Sequence, residues 1–563
     1  MNAIDRLIKF TLFQYLLCTP LDLVSSFVLP SPLSSAGKPV SPSKAFATPW
    51  LPQTRKKSTD TSCLFSTKMK TTEEVKTAIE KDQDDIEEGR NGSNGDGEKI
   101  QNWLLTLVLP LQLVYTSNQL TRSSIYYLVD FSGDATRSDP FRLMNVAIGF
   151  SEAQYGLLAS LAFTALFAVA SLGAGAAADK YNRKTLTVLS AVGWSIAAFG
   201  TSFSDTYNEV LLWRIAMGLF CAFSTPTAYT LIAEKVPTDM ISLATSIYGT
   251  GVGFGGALAS LSILLDNQIG WSKTMMVIGL VGVMCSILVA AVLPNDDSKS
   301  DDGDTDAAMD VDIKSFMESD EANNSVRSFS FLDDISEAIS TDRAKWILVG
   351  SFLRFSSGLC IGVWSAPFFR MAFPDNASQY AVAQAFIKAV PTTISGLAGG
   401  AAADYLSSRL KADNEKGGGK GNEDFGGIKL WVPVVGSLLA APTWYLAIHS
   451  TDSFQTAMVW LSLEYLVAEC WFGPMISTLL ATVPTKIRGT SQGLFTLTGA
   501  VANLSPTFLG YLYGQASSSA STSELLPVLL TTGVCFGYIA SAFCYAMAAQ
   551  SPPEIATTKS KSI

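Results

Sequence analysis

The sequence predicts an all-α membrane protein, with twelve transmembrane helices in two pseudo-symmetric six-helix bundles. Three observations carry that expectation. Only 16% of the 563 residues are charged, against about 25% in a soluble domain. Residues 175–184 read GAAADKYNRK between two apolar, small-residue-rich runs, the pattern of a tight, basic loop between adjacent membrane helices. The letters GAAAD recur at 400–404, again closing an apolar segment, so the chain reads as two similar halves.

The first hundred residues precede the apolar segments. Arg6 and Lys9 lead into a short apolar run, Phe10 to Cys18, followed by Ser25 and Ser26; this is the layout of a signal peptide over 1–26. Residues 27–70 hold one acid, Asp60, against Lys38, Lys44, Arg55, Lys56, Lys57, Lys68 and Lys70, amid many Ser, Thr and Pro, a transit-type composition. With VSSFVLP at 24–30, or KAFATP at 44–49, as the junction, the whole resembles the bipartite plastid presequence of algae with complex plastids. The alternative is an ordinary polar tail. Residues 71–100 read as a disordered acidic linker.

Twelve apolar segments follow, centred near residues 115, 165, 193, 222, 253, 283, 357, 391, 438, 468, 501 and 536. Each is about 20 residues long, enough for a helix rising about 1.5 Å per residue to cross about 30 Å of hydrocarbon. They divide into bundles over 101–293 and 344–549, with a tail over 550–563. Lys180, Arg183, Lys184, Lys235, Arg409, Lys411, Lys416, Lys420, Lys429, Lys486 and Arg488 fall in even-numbered connections. Odd-numbered connections offer little beyond Arg137, Arg142, Lys273 and Arg370. Both termini and the acidic central loop, 294–343, therefore share the basic, cytoplasmic-type side.

The net charge of −10 says little about ligands, because the acids concentrate in Glu73–Glu98 and Asp296–Asp342. DDSKSDDGDTD (296–306) puts Ser298 at the first ligand position of a calcium loop, against the EF-hand pattern. It reads as a solvated linker. FLDDISEAISTDRAKW (331–346) spaces Leu332, Ile335 and Ile339 as an interfacial helix. GGGKG (417–421) lacks the Ser or Thr of a phosphate loop and reads as a hinge. Eight cysteines form no CxxC, and His449 is the only histidine, which excludes His-rich zinc sites and leaves no spare partner for a Ser-His-Asp triad. The expectation is a monomeric non-enzyme with no cofactor, metal or nucleic-acid partner.

Val236-Pro237-Thr238 and Val483-Pro484-Thr485 precede ATSIYGTG (244–251) and GTSQGLFT (489–496), and Pro226 and Pro474 fall at matching depths. GxxxDKYNRK, Arg214-x-x-x-Gly218 and two sets of six spans together resemble the major facilitator superfamily. SEAQYGLL (151–158), GLCIGVWSAPFF (358–369), Glu464 seven residues before Trp471, VPTKIRGTS (483–491) and LSPTFLG (504–510) resemble its Spinster-like branch of lysolipid and sphingolipid transporters. That resemblance covers about residues 103–549. It implies alternating access, an amphiphilic cargo such as a lysophospholipid or sphingoid phosphate, and linkage to protons. Two departures bear on protons: Thr121 stands where the family's span-one acid would be, within Asn118–Arg122, and Cys221 stands where span four usually has Glu.

Ionisable groups inside spans cost about 2.5–3.5 kcal/mol each at a helix centre, so each needs a partner or a wet cavity. Arg122, Arg354, Lys388, Glu464 and Glu469 are the deepest by sequence. Arg122 and Arg354, in spans one and seven, are candidate clamps for an anionic head group, because guanidinium offers phosphate or carboxylate a planar fork. Asn118 and Trp471 join them as binding candidates. Glu464 is expected to hold one arginine in the empty site and to be the proton-coupling candidate; a structural ion pair is the alternative. Gly175, Asp179, Arg183, Lys184 and Arg214 are gating candidates, with Asp179 capping the next helix and pairing with cations, Asn182 accepting a left-handed backbone, and Asp404 and Arg409 as a weaker copy. Simple interfacial anchoring is the alternative there. Spacings 249/253 and 251/255 in span five predict small-residue packing seams or a sliding surface. Trp364, Trp471, Phe472 and Tyr465 line an apolar tail pocket or are plain core.

The leading expectation is a secondary active or facilitative carrier of an amphiphilic or organic anion, in contact with membrane lipids and in a plastid membrane. A plastid-envelope carrier of a small organic anion or phosphate is the first alternative, and a transport-inactive sensor or scaffold the second. Fluorescent fusions test the targeting element: the full chain should reach the plastid of a complex-plastid alga, and a version starting at residue 100 should not.

Overall fold

The computed structural model describes residues 103–132, 142–237, 240–294, 335–416, 425–484, 487–516 and 522–552. Residues 1–102, most of the acidic central loop, the GGGKG segment and residues 553–563 lie outside them. The described residues are helical throughout, without strands, because backbone polar groups crossing hydrocarbon must be satisfied within their own segment. Consecutive helices run on as twelve rods: 104–126, 152–180, Arg183–Thr201, Tyr207–Lys235, 241–269, Trp271–Val292, Asp342–Ala372, 377–416, Trp431–His449, 454–482, 488–516 and Thr522–Gln550. These are spans one to twelve below. Seven are long and apolar enough on their own to cross a membrane. Outward faces of spans six, nine and twelve carry exposed Met284, Ile287, Leu438, Phe536 and Phe543, as a lipid-facing surface requires.

Local sequence sets where spans begin. Ser151 and Gln154 of SEAQ form a reciprocal capping box at span two, and Thr206, Thr341 and Ser453 accept backbone N–H groups at the starts of spans four, seven and ten. Each such cap is worth about 1 kcal/mol. Span three is capped by Asn182, whose side chain accepts from Thr185 N at 3.0 Å with φ −63° and ψ 117°. This corrects two expectations. The cap is Asn182 rather than Asp179, because a cap needs the residue directly before the helix, and Asn182 is extended rather than left-handed. Before span seven, a helical turn at 335–338 buries Ala338 against Val483 and Ile487, while Ile339 stays partly exposed. Leu332 lies outside the described residues.

Close packing within each half uses glycine. A Cβ at Gly218 would sit 2.1 Å from the Phe163 carbonyl, and one at Gly279 2.7 Å from Phe199 N. These glycines bring span four onto span two and span six onto span three. In the second half, Gly537 faces Ser357 and Gly350 faces Tyr545, joining span twelve to span seven. The core of this half gathers Ile347, Val434, Met475, Leu479, Phe495 and Tyr545. In span five the seam is Gly251 and Gly255, against Tyr115, Thr116 and Gln119 of span one, while Gly253 and Gly256 face Lys388 of span eight and Gly249 faces open space. The expected 249/253 seam is thus replaced by 253/256, because span eight approaches one turn further along.

The lobes meet across a seam at the side away from the even-numbered connections, called the far side below. There Tyr155 Oη donates to Val363 O at 2.7 Å, Ser160 and Thr507 hydroxyls lie 2.7 Å apart, and Ser260 Oγ donates to Ala381 O at 3.0 Å. A Cβ at Gly156 would meet Pro506 O at 3.0 Å, so spans two and eleven touch through backbone. Replacing Gly218 by alanine is expected to lower stability by about 3 kcal/mol, at the upper end for overpacking because its obstacle is backbone; a lowered melting temperature in detergent checks this.

Candidate functional site

The guanidinium groups inside the spans find different partners. Arg214 donates from Nε to Leu158 O at 3.2 Å and from Nη2 to Ala159 O at 3.3 Å. Both carbonyls belong to a π-helical stretch, Leu157–Leu161. Such a bulge disturbs the regular ladder and leaves acceptors to fill. The Arg214 bonds therefore tie span four to span two inside one lobe. Arg214 also lies on the Phe163 ring at 5.2 Å.

Arg122 shares that ring, its guanidinium 4.7 Å from the Phe163 centroid. It is half-buried, one turn before Tyr126. Thr121, where an acid was expected, donates instead to Ser117 O at 2.8 Å. Cys221 is buried near Arg122, Arg214 and Asn118. The Asn118 Nδ2 is buried without a hydrogen-bond partner. The two places where carboxylates would have neutralised this cation thus hold a hydroxyl and a thiol, and Arg122 has no ion pair among the described residues. Across the seam, Lys388 puts Nζ 5.3 Å from the Tyr127 ring, five residues beyond Arg122.

Arg354 is nearly fully buried and well matched. Its Nη2 donates to Ala468 O at 2.8 Å and pairs with Glu469 Oε1 at 3.2 Å, and its guanidinium lies over Trp471 at 5.3 Å and Tyr538 at 4.8 Å. Glu464 is buried and accepts a short hydrogen bond from Tyr538 Oη. The expectation that Glu464 holds an arginine is corrected. The ion pair goes to Glu469, because the helix loosens into a 3-10 turn at Glu469–Trp471 and presents that carboxylate to span seven. Arg122 and Arg354 share no partner. The aromatic residues split likewise: Trp471 packs edge-on to Phe355 at 5.0 Å and Phe472 at 5.7 Å. Trp364 is fully buried at the far-side seam against Tyr155 and Tyr513, with Nε1 donating to Pro506 O at 3.0 Å. They do not line one pocket.

At the basic side, Arg183 is buried, donates from Nε to Ala178 O at 3.0 Å, and pairs closely with Glu234 at the end of span four. Lys184 follows in the first turn of span three. Gly175 and Asp179 lie on span two, and their side chains are outside the described residues. GAAAD at 400–404 sits inside the helix Pro391–Lys416, as the first copy sits inside Ala162–Lys180, but the second helix runs on for twelve residues past its Asp. Asp404 pairs with Lys429 at 2.7 Å, and Arg409 stacks on Tyr405 at 5.4 Å, so these two do not form a copy of the first-half motif.

Sequence reasoning placed Arg370 in a connection. The structure buries it at the end of span seven, donating from Nη1 to Tyr127 O at 2.7 Å and pairing with Asp130 at 3.6 Å and Asp266 at 3.7 Å. The available signal was Asp266, a lone acid closing an apolar segment.

Two six-helix lobes meeting along one seam, with ionisable groups facing inward, give this polypeptide the architecture of a solute carrier, and the sequence profile of the Major Facilitator Superfamily matches residues 111–506. The chain belongs to the major facilitator superfamily. As a member it is a multi-pass integral membrane protein. Its fold is Spinster-like: a bacterial homologue of the human lysosomal transporter Spinster, solved inward-facing and occupied, aligns with TM-score 0.55 at 19% identity, over 78% of this chain and 94% of that one. A mutant of the nucleoside transporter NupG aligns with TM-score 0.53 at 14% identity, over 80% and 99%. By sequence, this facilitator is 30% identical to the gallate transporter of Pseudomonas putida, over 26% of this chain and 32% of the relative. It is 27% identical to the 4-hydroxybenzoate transporter PcaK of Pseudomonas aeruginosa, over 26% and 33%. These matches span about a third of the relatives' length. The probable sulfoacetate transporter SauU of Cupriavidus necator matches at 23% over 67% of this chain and 82% of its own.

Replacing Glu469 by alanine leaves Arg354 buried without its counter-charge. The expected cost is about 3 kcal/mol, the low end for a broken buried pair, since Glu469 is 32% exposed. Arg122→Gln, which breaks no ion pair, should leave the melting temperature within about 2 °C of wild type, corresponding to less than about 0.5 kcal/mol for a surface-like change; thermal unfolding of both variants in detergent checks the contrast.

Proposed function

We propose that this facilitator carries an amphiphilic organic anion by alternating access, with the anionic head on Arg122. The observation behind this reading is a half-buried guanidinium that rests on Phe163 and has no ion-pair partner among the described residues. A buried cation costs less when an anion sits on it, so the empty site favours a charged cargo. Lys388 supplies a second cation from the other lobe. An anion bridging Arg122 and Lys388 would draw the lobes together, which is how a carrier links occupancy to rocking. Arg354 is already matched by Glu469 and joins only if that carboxylate turns away. Phe163 and Phe167, stacked at 5.5 Å, supply apolar surface beside Arg122 for the hydrophobic part of the cargo. We read the sealed far side as a state open toward the basic side, and the presequence composition as address to a plastid membrane.

A second reading, a small organic anion without a lipid tail, is favoured by the names of the sequence relatives, which carry gallate, 4-hydroxybenzoate and sulfoacetate. Both readings use the same cation. Flux into liposomes, with lysolipids and small carboxylates competing, separates them; binding without flux of either would make the chain a sensor or scaffold and overturn the proposal. Arg122→Gln should reduce flux at least 100-fold with yield unchanged, consistent with the loss of about 3 kcal/mol from a charge-assisted contact. Normal flux in that variant removes Arg122 from the mechanism.

A further inference from the structure

We propose that Asp266 is a proton-binding site in the far-side seam, and that sealing the seam takes up one proton. Asp266 ends span five with no solvent exposure, and neither of its carboxylate oxygens has a hydrogen-bond partner. Its nearest cation, Arg370 Nη2, is 3.7 Å away, well beyond the about 2.7–2.9 Å of a charge-assisted hydrogen bond. Arg370 cannot serve it better. One of its nitrogens is committed to Tyr127 O at 2.7 Å, and its Nε leans toward Asp130 Oδ2 at 3.6 Å.

Two carboxylates therefore share one buried guanidinium in the seam. Asp130 is the better served, since it also accepts Ser132 N at 2.9 Å and keeps some exposure. Other groups around the cluster do not supply the missing charge at contact distance. Arg142, in the segment before span two, acts on Asp266 only through space, and its backbone carbonyl accepts Trp271 N at 3.0 Å. Lys273 of span six points outward. Tyr380 of span eight lies near Arg370, and Lys388 lies over Tyr127. Like charges sharing one site are relieved when one carboxyl holds a proton, and Asp266, the drier and less bonded of the two, is the one that does.

The cluster also spans the lobes. Asp130 and Asp266 belong to the first bundle and Arg370 to the second. When the far side opens, Arg370 leaves with span seven, and both carboxylates meet water. Asp266 then releases its proton to far-side water and rebinds one on closing: carboxylate plus proton gives carboxylic acid, with no other reactant. A proton bound more tightly in the sealed state favours that state at low pH and disfavours it as pH rises. The proton arrives from and returns to one side, so this device biases the gate by far-side pH. It uses neither Arg122 nor any cargo contact, and its failure would leave the proposed function untouched.

Distances across the seam test it. The full chain in lipid nanodiscs would carry nitroxides on p-acetylphenylalanine at Gln268 and Gln379, leaving the native cysteines in place, with pulsed dipolar distances read from about pH 5 to about pH 9. In wild type the sealed-to-open ratio should fall with rising pH, by up to about tenfold per unit for one proton. Asp266→Asn should remain sealed across the range, and Asp205→Asn, at an exposed carboxyl between spans three and four, should keep the wild-type slope. A flat wild-type profile, or an undiminished slope in Asp266→Asn, overturns the proposal. Should that variant not fold, Asp130→Asn decides: with Arg370 left to Asp266 alone the slope must shrink, and an unchanged slope overturns it equally.

Discussion

Burying a guanidinium among apolar helices is the constraint that organises this molecule. A charge withdrawn from water must be met by carbonyls, carboxylates, aromatic faces or a ligand, and the chain combines these answers in different ways. Arg214 takes the acceptors of a π-helical stretch. Arg354 takes Glu469, a carbonyl and two aromatic faces. Arg370 takes a carbonyl and two acids drawn from the opposite lobe. Arg122 takes an aromatic face and, among the described residues, no ion pair. The first two are finished structural joints, the third is a joint that opens, and the fourth is unfinished.

The joint that opens depends on close backbone approach. Gly156, Gly253 and Gly510 let spans two, five, eight and eleven touch through main chain across the seam, beside Trp364 packed edge-on against Tyr155. The same device works inside each lobe, where Gly279 brings span six onto span three and Gly537 brings span twelve onto span seven.

Much of the fold was legible. Segment length, sparse charge and echoed motifs gave twelve helices in two sets, and the capping residues Ser151, Thr206 and Thr341 sit where the chain enters helices. The site was legible only in part. Arg122, Arg354, Glu464 and Glu469 stand out because each is a lone charge in an apolar run, and that cue reports depth but not partner. Hence the ion pair was assigned to Glu464, when a local loosening of the helix at Glu469–Trp471 gives it to the neighbouring acid. Asp130, Asp266 and Arg370 lie far apart in sequence and meet only because spans one, five and seven converge. No local pattern encodes that convergence. The second GAAAD misled because its neighbours continue in helix to Lys416, whereas Asn182 ends the first by capping a new one.

The bare ring under Arg122 has an electrical consequence. With Arg122 and Lys388 both facing the proposed cargo, a divalent anion turns the moving assembly nearly neutral, and the unloaded carrier returns with both charges aboard. Moving one elementary charge through a membrane potential is worth about 2.3 kcal/mol per 100 mV. Voltage would then act on the return stroke rather than on the loaded one, and the absence of acids at Thr121 and Cys221 is what sets that division.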